Sequence, residues 1–122
     1  MNRRRTGQRW ERFAEAYLRR HGLRVVQRNF GCRSGEIDLV LADRGCLVFA
    51  EVRYRRRNGF GGPAASVDGR KQRRITRAAA YFLARHREFA ARPCRFDVIS
   101  LSGHAERPRV EWIRNAFDAQ QS

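Results

Sequence analysis

Asp38 and Glu51 sit inside two short apolar runs, Gly35-Glu36-Ile37-Asp38-Leu39 and Phe49-Ala50-Glu51-Val52-Arg53, and are the residues best placed to do chemistry. Carboxylate oxygens are hard donors. Two of them brought together suit Mg2+ or Mn2+, which polarise a phosphate and activate water against it; zinc fits such a set poorly. Charge along the chain points to the substrate. Residues 1–28 carry nine Arg against two Glu, and residues 53–77 carry eight Arg and one Lys against one Asp. Residues 29–52 hold only two Arg against four acids, an island of net −2 in a chain of net charge +15. A basic surface collects a polyanion, and an acidic pocket within it can hold the cation that cuts one. The combination points to a metal-dependent nuclease.

Whether the two acids meet depends on the elements that carry them. Residues 36–41 and 46–53 read as strands joined through Asp43-Arg44-Gly45-Cys46. Side chains alternate across a strand, so Glu36 and Asp38 share a face, as do Glu51 and Arg53. With Arg44-Gly45 as a two-residue loop, Asp43 pairs with Cys46, Asp38 faces Glu51, and Glu36 faces Arg53. Facing residues have Cβ atoms about 4.5–5.5 Å apart, close enough to share one ion. Ile37, Leu39, Val48, Ala50 and Val52 would then fill the opposite face. A three-residue loop would break this register. Unpaired carboxylates so close repel, which calls for a metal or a proton between them. A structural network in which Arg53 and other arginines neutralise the acids is the alternative.

The remaining elements follow from spacing. Trp10, Phe13, Ala14, Tyr17 and Leu18 recur at helical intervals over residues 6–21, with Thr6 as a candidate N-cap and Gly22 as a stop. Residues 23–29 form a short strand. Residues 54–67, with three glycines and a proline, form a loop. A second helix over residues 68–88 has an apolar stripe of Ile75, Ala78, Ala79, Phe82 and Leu83 opposite an Arg-rich face. Strands follow at 94–101 and 110–113 around a turn at Ser102-Gly103-His104. Helix, three strands, helix and two strands predict one α/β domain over residues 1–122, a mixed central sheet flanked by helices.

Composition narrows the partners. A pI near 11.6 with 42% hydrophobic and 32% charged residues describes a folded chain whose natural partner is nucleic acid. Nothing approaches the ~18 consecutive apolar residues of a membrane span, and no apolar stretch follows the Met-Asn-Arg-Arg-Arg start, so a cytoplasmic protein without a membrane partner is expected. Cys32, Cys46 and Cys94 lack a paired spacing and read as buried free thiols; His21, His86 and His104 are as scattered. The chain has a single Lys, at position 71. Arg55, Arg56 and Arg57 follow the acids directly and would track phosphates, with Phe60 stacking on an unpaired base. Arg70, Lys71, Arg73, Arg74 and Arg77 line the start of the second helix. No base-reading motif is present, so recognition by shape and charge is expected.

The run Gly35-Glu36-Ile37-Asp38, followed by Glu51-Val52-Arg53 within Phe49-Ala50-Glu51-Val52-Arg53-Tyr54-Arg55, resembles the PD-(D/E)XK nuclease motif. Gly7 and Glu11, Asn29, Phe60-Gly61, Lys71 and Arg95-Phe96-Asp97 extend the likeness over nearly the whole chain. Together they resemble the YraN family of small bacterial proteins, which are similar to archaeal Holliday-junction resolvases. The resemblance implies a restriction-endonuclease-like fold, and Asp38 and Glu51 as metal ligands with the Val52 carbonyl as a third. It also implies Glu11 as a helix carboxylate approaching the metal; an ordinary exposed residue is the alternative. Glu15, on the same helix, reads as surface. Structured or branched DNA would be the substrate, favoured over RNA, and a homodimer follows by analogy alone. Arg53 departs from the motif, which has Lys there. Arg keeps the charge but does not release a proton. Three readings follow: Arg53 stabilises charge, Lys71 reaches in instead, or the site binds structured DNA or RNA without cutting. Asp97, two residues from Arg95, reads as a structural ion pair.

Overall fold

The computed structural model describes residues 3–55, 67–104 and 106–119. Helix α1 (Arg3–Arg20) leads into strands β1 (Arg24–Cys32), β2 (Gly35–Asp43) and β3 (Cys46–Arg55). Helix α2 (Gly69–Arg85) and a 3-10 turn (Arg87–Phe89) precede β4 (Cys94–Gly103) and β5 (Pro108–Phe117). The five strands lie side by side in chain order. Neighbours run antiparallel except β3 and β4, which are parallel and joined through α2. That crossover makes the sheet mixed and the domain α/β, as the order of elements predicted.

Alternation along β3 divides the core in two. Val48 and Ala50 face α1, where Trp10, Ala14 and Leu18 cover them together with Leu39, Leu41, Ile99 and Leu101. Leu47 and Phe49 face α2, against Ile75, Ala78, Ala79 and Phe82 with Val40, Phe96 and Val98. Each helix contributes one apolar stripe, so the sheet is dry on both sides. Among the described residues, no helix is long and apolar enough to cross a membrane.

The helix ends follow local chemistry. Helix α1 already runs at Arg3, so Thr6 lies within it and is not its N-cap; arginine is a good helix former and the three before Thr6 extend the helix. At the other end Gly22 adopts φ 91. Its N–H donates to the Arg19 carbonyl at 3.0 Å and the Leu23 N–H donates to the Leu18 carbonyl at 3.1 Å, a Schellman ending with Leu18 and Leu23 both buried. Helix α2 stops at Arg85, short of the expected residue 88, because His86 leaves helical geometry and a 3-10 turn takes over. The cysteines are free thiols but are not buried: Cys32 and Cys46 are half-buried and Cys94 is exposed. All three stand at strand ends, where cover is only partial.

Asp97 holds the end of the sheet where β4 begins. It is 1% exposed and accepts from Arg95 Nε at 3.1 and 3.2 Å, Trp112 Nε1 at 2.9 Å and the Asn115 N–H at 2.9 Å. Arg95 also donates to Asp43 at 2.9 Å, at the β2–β3 turn. The ion pair read from sequence is therefore the centre of a network joining β2, β4 and β5. Replacing Asp97 with Ala should cost about 3–5 kcal/mol, because Trp112 Nε1 and the Asn115 N–H lose their acceptor and the half-buried Arg95 keeps only Asp43. Urea unfolding of the purified variant measures this; a loss under 1 kcal/mol would contradict the network's structural role.

Candidate metal and phosphate site

Strands β2 and β3 begin their pairing at the turn with Asp43↔Cys46, the two-residue connection that the register argument needed, and pair as far as Leu39↔Ala50. There they part. A continued ladder would give the Val52 N–H to the backbone of Ile37. Instead it donates to Asp38 Oδ2 at 2.8 Å, so a side chain caps the freed backbone donor. Asp38 is turned towards Glu51, and the two carboxyls are hydrogen-bonded to each other. The pairing never reaches Glu36 and Arg53, which do not face one another as expected. Glu36 pairs with Gly31 of β1 and points to solvent.

The same parting corrects the apolar set. Leu39, Val48 and Ala50 do lie against α1, with Val52 at the margin of that cluster, but Ile37 packs in the α2 cluster. Alternation breaks between Ile37 and Leu39, and on β1 Asn29 lies between their partners Phe30 and Arg28. Asn29 has φ 50, a left-handed conformation that Asn tolerates better than most residues. The kink explains the flip.

Helix α2 closes the other wall. Gly35 lets it approach, since a Cβ there would stand 2.5 Å from the Arg74 carbonyl oxygen. Asp68 caps the helix, accepting from the Lys71 N–H at 2.9 Å. Glu36, Asp38, Glu51, Asp68, Arg70, Lys71, Arg74 and Ile75 then line a cavity of about 480 Å3. Lys71 Nζ reaches Glu51 Oε1 at 3.4 Å. The predicted acids and three predicted phosphate-binding cations thus share one space. Arg53 lies on the same face of β3 by alternation, and its charge is felt at Glu51, but its side chain does not line the cavity. Arg55 is half-buried at the end of β3. Arg56, Arg57 and Phe60 lie outside the described residues.

Glu11 arrives from the opposite side of the sheet. It lines a neighbouring cavity of about 360 Å3 with Gln8, Arg12, Glu15, Arg28, Asn29 and Leu39. It shares a hydrogen bond with the Asn29 side chain and feels the charge of Asp38 through the gap. Asn29 has a role that sequence reasoning did not assign, although a turn-favouring residue inside a strand was a visible signal. Glu15 is not surface: it receives Arg28 Nε at 2.6 Å and Nη2 at 2.8 Å and ties α1 to β1. Arg28, itself 59% exposed, covers the Glu15 side chain and leaves it 12% exposed. Among the described residues, no three His, Cys, Asp or Glu side chains converge on one point. The groups that could hold a cation are the two carboxylates with the Val52 carbonyl. A strand residue's N–H and C=O leave by the same edge, so that carbonyl points the way its N–H does, towards Asp38.

Burial dominates the electrostatics. Glu51 is 7% exposed. Desolvation first, then the charge of Asp38, pushes its carboxyl up to about 8 against the pull of Lys71. Desolvation also raises Asp38, opposed by the Val52 N–H and by the bond from Glu51. Both carboxyls are raised by burial and each feels the other, so the pair as a whole retains a proton above the ordinary carboxylate range. Glu11 is raised to about 7 by desolvation and then by Asp38. Such a set fits a hard dication, since Mg2+ is ordinarily held by one or two carboxylates with water and phosphate oxygens completing its shell.

Residues 10–101 match the description "Uncharacterised protein family UPF0102", the YraN family. The chain belongs to that family. It is 50% identical over 113 residues to a UPF0102 protein of Alcanivorax borkumensis, covering 92% of this chain and 90% of the relative. A UPF0102 protein of Pseudomonas entomophila is 50% identical over 114 residues, covering 92% of both chains. One of Stutzerimonas stutzeri is 46% identical over 114 residues, covering 93% of this chain and 95% of the relative. The matched span of the UPF0102 chain takes in Glu11, Asp38, Glu51, Arg53 and Lys71, and the relatives' names carry no activity.

In the metal-free UPF0102 protein the raised carboxyls set a pH dependence. The folded state binds more protons than the unfolded chain between the usual carboxylate range near 4.5 and the raised values near 7 and 8. The contribution of these two carboxyls to stability is thus complete below about pH 4.5 and is lost as pH rises through that window. Urea unfolding in a chelator should show a loss on the order of a few kcal/mol from pH 5 to 8.5, and a shallower loss in Glu51→Gln. Equal slopes in the two proteins would contradict the buried proton.

Proposed function

We propose that this chain is a divalent-cation-dependent phosphodiesterase acting on nucleic acid, with structured or branched DNA as the first candidate substrate. The observation that carries the reading is the Asp38–Glu51 pair, two buried carboxyls in contact at the open end of β2 and β3. Two acids so placed are held together by a proton and would be held better by Mg2+ or Mn2+. Asp38, Glu51 and the Val52 carbonyl would hold the ion, which when bound supplies Lewis-acid polarisation of phosphate and an activated water.

This chain's own groups do the rest. Arg70 and Arg74, on the cavity wall, bind and orient the phosphodiester. Glu11, whose carboxyl changes charge near pH 7, stands across the gap in the field of Asp38 and can take up a proton from water. Arg53 adds positive potential at Glu51. Arg55 extends the basic surface from the end of β3, and the arginines of α2 do so on the other wall.

A second reading, binding of structured DNA or RNA without cleavage, is favoured by the Arg at position 53 where the motif has Lys. Mn2+-dependent nicking of supercoiled and branched DNA separates the two. The wild-type protein should nick, and Asp38→Ala should lose at least 100-fold while binding DNA in chelator within threefold of wild type. Nicking undiminished by that substitution would end the catalytic reading. Binding itself should weaken roughly a hundredfold between 50 and 200 mM salt for about four phosphate contacts. A salt-independent affinity would remove nucleic acid as the partner.

A further inference from the structure

Resting on the reading of Asp38 and Glu51 as a cation site, we propose that Lys71 is the site's mobile phosphate ligand: its ammonium holds Glu51 while the site is empty and passes to the phosphate when a divalent cation takes Glu51.

Three observations converge on Lys71. It lines the same cavity as the carboxylates, and its Nζ lies 3.4 Å from Glu51 Oε1, whereas Arg53 does not line that cavity. Its main chain is fixed and its side chain is partly exposed. The Lys71 N–H is held by the Asp68 cap at 2.9 Å, and the Gly35 contact seats α2 against β2, while the Lys71 side chain stays 37% exposed. A partly exposed, single-point ion pair is weak and readily exchanged. Finally, the chain contains 26 Arg and this one Lys. A compact ammonium on a four-carbon stem can exchange one oxygen partner for another inside a cavity, whereas a planar guanidinium needs a larger and fixed arrangement of acceptors.

The exchange follows from charge. A dication bound by Glu51 repels an ammonium on the same carboxylate, and the carboxylate's negative charge is then already satisfied. The phosphate that arrives beside Arg70 and Arg74 offers Lys71 a new anionic partner on the same wall. Helix α2 thereby delivers to the site the positive charge that β3 carries only as Arg53. Glu51 is never left without a cation, and Lys71 acts as a charge throughout, with no proton leaving it.

Mn2+ titration calorimetry and Mn2+-dependent nicking, run together on the full chain, test this. Lys71→Ala should bind Mn2+ about five- to tenfold more tightly than wild type, because the ion no longer displaces an ammonium. The same variant should nick at least 100-fold more slowly, a loss at least ten times that of Arg53→Ala. Lys71→Arg should keep Mn2+ affinity near that of wild type and recover part of the nicking. Unchanged or weaker Mn2+ binding in Lys71→Ala, or a larger loss from Arg53→Ala, overturns the proposal while leaving the metal site standing. If wild type binds no Mn2+ and nicks nothing, the underlying reading fails and Lys71 falls with it.

Discussion

A strand that leaves its ladder early strands a backbone donor, and the Val52 N–H is such a donor. It is satisfied by a carboxylate that Asp38 can present only because β2 and β3 part beyond Leu39 and Ala50. Much of the site depends on that substitution of side chain for backbone. With the parting, Ile37 packs in the α2 core and Asp38 stands against Glu51, while the charge of Asp38 is also felt at Glu11 on α1. A continuous ladder would have been more regular and would have given the Val52 N–H a backbone partner instead.

The scaffold keeps this weakly paired end where it is by overdetermining the opposite one. Asp97 gathers Arg95, Trp112 and Asn115, and Arg95 reaches on to Asp43, so strands β2, β4 and β5 are tied where the hairpin turns. Two apolar clusters then hold α1 and α2 against opposite faces. With that end fixed, the carboxylates can tolerate mutual repulsion and desolvation without pulling the strands apart.

Electrostatic asymmetry gives the site its direction. Glu51 is buried and Asp38 half-buried, whereas Arg70 and Arg74 are exposed, so these arginines are more accessible to an incoming phosphate than the acid pair is. The proton retained by the acid pair and the ammonium of Lys71 beside Glu51 together reduce the negative charge that a polyanion would meet. The shared cavity of Glu51, Lys71, Arg70 and Arg74 places the opposing charges within one ligand's reach.

Family and fold class were legible in the residues, because periodicity of two and of 3.6 is written locally and the motif residues keep their order. The hairpin register was legible as well, since a two-residue turn admits one pairing once its position is known. Asp97 announced its ion pair through the i, i+2 spacing with Arg95. What sequence could not state was where the ladder would stop. Counting assumed pairing through Glu36 and Arg53 and sent Ile37 to the wrong face, because the left-handed Asn29 and the side-chain capture of Val52 are outcomes of packing. Glu15 likewise looked exposed until Arg28 came beside it from a different element. Sequence by itself determined the elements, their order and the acids at positions 38 and 51. Tertiary structure decided which charges meet: Lys71 reaches Glu51 from 20 positions away, a pairing set by the seat of α2 on Gly35 and by no local pattern.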